Sequence, residues 1–137
     1  LAYHGAGSMP KGAFLRFYFG GERSYRGEGA IDLLFGLPPR KSSLDVYLEM
    51  LTDHSERTGT ASLPWSIAVV SGDISDGDVA RHALSRGGHL RVGLEDYAGS
   101  GAPSNLELVE EAVALCKEAG RPIASPAETA KILNLPN

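Results

Sequence analysis

The chain has 137 residues, room for one ordinary domain, and its 42% hydrophobic and 22% charged content is that of a folded globular protein. Lys and Arg number 13 against 17 Asp and Glu, leaving a formal charge of -4, which argues against the clustered positive surface that nucleic acid requires. The longest apolar run, Ala112-Val113-Ala114-Leu115-Cys116, is far too short to span a membrane. A lone cysteine, Cys116, excludes an internal disulfide framework and fits a reducing, cytoplasmic setting. No basic stretch followed by an apolar core opens the chain, so no secretory leader is expected.

Residues 1–12 hold Gly and Pro without a period and read as loop. Phe14-Leu15-Arg16-Phe17-Tyr18-Phe19 reads as a strand stopped by Gly20-Gly21, and residues 20–31, with four glycines, as loop. Ser42-Ser43 is placed to cap a helix from Leu44 to about Asp53, in which Leu44, Tyr47, Leu48 and Leu51 share one face. Residues 54–63 are polar and loop-like. A second strand covers 65–70, and a short helix follows with Val79, Ala80, Ala83 and Leu84 on one face, stopped by Gly87-Gly88. A third strand is expected from His89 to Glu95. Ser104 and Glu107 form a capping box for a helix running to Ala119, and Ser125 and Glu128 repeat that signal for a last helix ending near Leu133. Strands joined through helices should be parallel, so the fold class is α/β. Three parallel strands make a small sheet with open edges.

Arg91-Val92-Gly93-Leu94-Glu95-Asp96 carries the chemistry. On a continuous strand Val92 and Leu94 face covering helices, and Arg91, Gly93 and Glu95 face the other way. Strands of parallel sheets ordinarily read apolar on both faces. A cation and a carboxylate on one face, with Asp96 just past the C-terminal end, suit a site at the end where α/β sheets bind ligands. They also suit an Arg91–Glu95 ion pair with no chemistry attached, although burying ions without a use is costly. Arg91 and Asp96 lie roughly 16 Å apart along a straight strand, so direct contact requires the chain to turn back.

Gly87-Gly88-His89-Leu90-Arg91-Val92-Gly93-Leu94-Glu95-Asp96 resembles the signature near the end of the beta-keto acid cleavage enzymes, whose type activity is cleavage of 3-keto-5-aminohexanoate. Trp65-Ser66 with Ser71-Gly72, Asn105-Leu106-Glu107-Leu108-Val109 and Ala124-Ser125-Pro126-Ala127-Glu128 resemble flanking segments of the same family. The resemblance implies a zinc-dependent TIM (β/α)8 barrel in which a beta-keto acid and acetyl-CoA become acetoacetate and a new acyl-CoA. It implies Glu95 as a zinc ligand, Asp96 in proton abstraction and Arg91 orienting Asp96. It further implies a homo-oligomer, a tetramer by family. The family's His-x-His ligand pair has no counterpart among His4, His54, His82 and His89. The chain is therefore expected to supply the last three strands and C-terminal helices of the barrel. The alternative is a non-catalytic barrel fragment that folds with or binds a partner chain.

Other residues have plainer readings. His89 reads as structural and His82 as solvated. Cys116 reads as a small buried hydrophobe. Trp65 and the Phe14–Phe19 cluster read as core, while Arg23, Arg40 and Lys41 are scattered. The small-residue loop 98–104 leads into a helix N-terminus, which suits a phosphate or thioester tail. It has no phosphate-binding motif, so an ordinary connecting loop is the simpler reading.

Overall fold

The computed structural model describes residues 1–21 and 36–135. Its elements run α1 (Ala2–Gly5), β1 (Leu15–Gly20), α2 (Lys41–Thr58), β2 (Trp65–Val70), α3 (Val79–Ser85), β3 (His89–Leu90), α4 (Asn105–Glu118) and α5 (Pro126–Ile132). The three strands form one parallel sheet in the order β1-β2-β3. The fold is thus α/β with a small parallel sheet. Most of the loop expected over 20–31 lies outside the described residues. Among the described residues no helix is long and apolar enough to cross a membrane.

Alternation along β1 and β2 builds the core. Phe19, Trp65, Ile67 and Val69 point to one face and pack with Leu44, Leu48 and Leu51 of α2 and with Val79 and Ala83 of α3. Tyr47 stacks on Phe17 with ring centroids 4.7 Å apart. Each such fully buried large apolar side chain contributes about 1.5–3 kcal/mol relative to exposure. Ala80 and Leu84 on the far side of α3 meet Leu115 of α4 in a second cluster.

Several boundaries differ from expectation for identifiable reasons. One helical turn, α1, stands in the segment read as loop. The helix expected from Leu44 to Asp53 begins earlier and ends later. Arg40 is its N-cap without a side-chain bond, and Ser43 is a buried residue inside it rather than the cap. At the other end the buried stripe continues to His54, and Gly59 closes the helix at φ 68 with its N–H on Ser55 O. The capping boxes of α4 and α5 form as expected, Ser104 with Glu107 and Ser125 with Glu128.

The third strand is much shorter than the expected His89 to Glu95, because the chain leaves the ladder after Arg91. Leu94, expected under the helices, is 50% exposed. The strand start is tightly packed: a Cβ on Gly88 would run into the Trp65 ring. Gly88→Ala should therefore destabilise the protein by about 1–3 kcal/mol, the usual cost of overpacking. The midpoint of urea unfolding reads this directly, and an unchanged midpoint would mean that Trp65 gives way freely.

Two histidines join α1 to α2. His4 Nδ1 and His54 Nε2 are 3.1 Å apart, and His54 is buried. Burial and then His4 lower the pKa of His54 below 6.5, and burial and then Arg121 lower that of His89. A His with a lowered folded-state pKa binds its proton more readily when unfolded. Its stabilising contribution is therefore complete above pH 6.5 and lost as the pH falls below it. Urea midpoints should fall between about pH 7 and pH 5, and His54→Asn should flatten that slope. An equal slope in the variant would remove His54 from the account.

Candidate active site

The site grows from a defect in the β2–β3 ladder. Ile67 pairs with Leu90, and the Arg91 N–H still donates to Ile67 O at 2.9 Å. Further on, Gly72 pairs with Tyr97. Ile67 to Gly72 is five steps, whereas Leu90 to Tyr97 is seven, so two residues are in excess on the β3 side. They are taken up in a turn in which Gly93 O accepts from Asp96 N at 3.1 Å and from Tyr97 N at 3.2 Å. The chain then rejoins β2, with Ser71 N donating to Asp96 O at 3.0 Å and Ala98 N to Gly72 O at 2.9 Å. Ser71 holds φ 61, a left-handed conformation uncommon for a residue with a side chain, at the C-terminal end of β2.

The turn closes the gap that a straight strand would leave. Arg91 Nη1 donates to Asp96 Oδ2, and Arg91 Nη2 donates to Glu95 Oε2 at 2.5 Å. One guanidinium thus spans both carboxylates. Their environments differ: the Asp96 side chain is 9% exposed and that of Glu95 is 79% exposed, with Arg91 between them at 26%. The hydrogen bond to Glu95, opposed by burial and reinforced by that to Asp96, raises the Arg91 pKa above its ordinary value. The structure brings together the three residues that the sequence singled out, but in a different local geometry from the one expected. They share a turn at the sheet's C-terminal edge, not one face of a long strand.

Asn105 went unnoticed as a site residue. Its Oδ1 accepts from Leu94 N at 3.1 Å, pinning the turn to the first residue of α4. The only available signal was its place in the Ser104-Asn105-Leu106-Glu107 segment, where it read simply as part of a helix start.

The other sequence candidates fall out of the site. The N-terminus of α4 is capped by its own Ser104 and Glu107. The backbone and then the side-chain hydrogen bond from Ser104 lower the Glu107 pKa. Loop 98–104 is fastened locally by Tyr97 Oη donating to Ser100 O at 2.7 Å, in keeping with the simpler reading. His82 is not merely solvated, since its Nε2 lies 2.7 Å from Asp45 Oδ1, linking α3 to α2. Burial pushes the Cys116 thiol up, which suits a packing residue rather than a nucleophile.

Among the described residues no three His, Cys, Asp or Glu side chains come together to hold a metal ion. Glu95 is a carboxylate placed to supply one ligand, but a catalytic zinc normally has three protein ligands. These residues therefore do not make a zinc site by themselves.

The constellation lies at the end of a small parallel α/β sheet, within the segment that resembles the beta-keto acid cleavage enzymes. The sequence model of that family matches residues 2–135, and the chain belongs to it. The 3-keto-5-aminohexanoate cleavage enzyme of Acetoanaerobium sticklandii is 51% identical over 61 residues, covering 42% of this chain and 22% of that protein. The enzyme of the same name from Fusobacterium nucleatum is 52% identical over 61 residues, with the same coverage of 42% and 22%. The 3-oxoadipate:acetyl-CoA acetyltransferase of Cupriavidus necator is 35% identical over 116 residues, 80% of this chain and 40% of that protein. The matched stretch is less than half the length of each of these relatives.

Proposed function

We propose that this chain forms the last three strands and C-terminal helices of a (β/α)8 barrel, and that the whole protein cleaves a beta-keto acid with acetyl-CoA. The products would be acetoacetate and a new acyl-CoA. The observation that carries this reading is the bridging of Asp96 and Glu95 by Arg91 at the C-terminal edge of a parallel sheet, where barrels keep their active sites. Membership of the family and the names of the relatives support the reaction class.

In this reading Asp96 is the general base that takes a proton from the carbon between the keto and carboxyl groups. Its largely buried carboxylate is held in one orientation by Arg91 and by the Gly93 turn. Glu95, exposed at the mouth, supplies one ligand to a zinc ion whose other ligands come from outside the described residues. Bound zinc would supply Lewis-acid polarisation of a keto oxygen. The test is to incubate the whole protein with acetyl-CoA and a panel of beta-keto acids and to assay acetoacetate. Absence of acetoacetate across the panel would sink the reaction.

A second reading is a non-catalytic fragment that folds with or binds a partner chain. It is favoured by the lack of a complete metal-ligand set among the described residues. Acetoacetate formation by the whole protein decides between the two.

A further inference from the structure

The part of the turn that leads into Asp96 is held without apolar burial. Leu94 is 50% exposed and the Glu95 side chain 79% exposed, so this stretch of backbone depends on hydrogen bonds for its course. Two of them come from neighbouring elements and grip the stretch at its two ends. Ser71 N, at the end of β2, donates to Asp96 O at 3.0 Å, and Asn105 Oδ1, on α4, accepts from Leu94 N at 3.1 Å. Glu95 lies between these anchors. The first is a bond between backbones, whereas the second depends on a single side chain.

The helix that carries Asn105 does not need that side chain. The N-terminus of α4 is closed by the capping box of Ser104 and Glu107, to which the exposed Asn105 side chain contributes nothing. The helix is also a firm mount. Leu115 is buried against Ala80 and Leu84 of α3. Leu108, one turn after Asn105, is buried and lines one small cavity with Asp96 and Tyr97. A backbone N–H offers only a proton, so the group that meets Leu94 N must be an acceptor, which the carboxamide oxygen of Asn105 supplies.

We propose that Asn105 is a positioning residue, which by holding Leu94 N fixes the run of backbone into Glu95 and Asp96 and so the places of both carboxylates. The proposal rests on the beta-keto acid reading above. Asn105 has no contact with the reacting atoms in it and acts through the turn alone.

The test compares two variants of the whole protein. Asn105→Leu has nearly the same size but no acceptor, whereas Asn105→Asp keeps the acceptor and suits the positive end of a helix. Asn105→Leu should lower kcat for acetoacetate formation by about 10-fold or more with KM little changed, since misplacing a reacting group by about 1 Å can cost about 100-fold. Asn105→Asp should hold kcat near that of the unaltered protein. Amide hydrogen exchange gives a readout apart from turnover: Leu94 N–H should exchange about 10-fold or more faster in Asn105→Leu and not in Asn105→Asp. Urea midpoints of both variants should stay close to that of the unaltered protein, because the capping box is intact. An unchanged kcat in Asn105→Leu, or one that falls equally in Asn105→Asp, overturns the proposal. So does a fall in activity accompanied by a lowered midpoint, the mark of a merely structural residue. Faster Leu94 exchange in a protein that forms no acetoacetate would retain the anchor and lose the reaction, while unchanged exchange would remove the anchor whatever the turnover.

Discussion

Asp96→Asn in the whole protein is expected to lower acetoacetate formation by about 100-fold or more, the usual scale of a general-base contribution, while zinc content and substrate affinity stay near normal. Asparagine has almost the same shape, and its side-chain oxygen can still accept from Arg91 Nη1. The Asp96 backbone carbonyl keeps its bond from Ser71 N, so the turn that presents this residue is undisturbed. What disappears is the carboxylate proposed as the proton acceptor. Arg91→Lys should lose turnover as well, for a different reason. A lysine is a single point charge and cannot span the two carboxylates that the guanidinium joins. Steady-state acetoacetate release beside zinc analysis for both variants tests the assignment. Near-normal turnover in Asp96→Asn would place the base elsewhere in the whole protein.

How much of this was legible in the sequence depended on whether the signal was local. The capping boxes at Ser104 and Ser125 are complete within four residues, and both helices start where they should. The apolar run of 65–70 needed no partner to read as a strand. The site itself was half legible. Arg91, Glu95 and Asp96 stood out by charge in an apolar context, but alternation projected them along a straight strand. The two-residue excess opposite Ile67 to Gly72 is a property of the pairing with β2, and no pattern within 89–97 reveals it. The same holds for Asn105, whose bond to Leu94 N exists only because the turn brings the backbone to the start of α4. The limits of α2 failed for a related reason. Ser42-Ser43 looks like a cap, yet Arg40 is the N-cap and Ser43 is buried inside the helix, while the buried stripe that runs on to His54 carries the other end to Thr58.

Glu95→Gln should have the opposite signature to Asp96→Asn: zinc is lost from the whole protein, and turnover falls with it. Zinc binding by an oxygen donor at this position calls for an anionic carboxylate, and the amide of glutamine is a much poorer ligand. The substitution should leave the fold intact. The Glu95 side chain is 79% exposed, and an ion pair as exposed as this contributes little to stability. Arg91 keeps its bond to Asp96, so the base remains positioned while the metal is gone. The two variants therefore separate the roles that one guanidinium holds together. Asp96→Asn retains zinc without turnover, and Glu95→Gln retains an oriented Asp96 without zinc. The 137-residue chain alone should bind zinc weakly, because its described residues bring no three ligating side chains together. Metal analysis of the purified whole-protein variants, with the unfolding midpoint as a control for folding, provides the measurement. Full zinc occupancy in Glu95→Gln would end the ligand assignment and leave Glu95 as the solvent-side partner of Arg91.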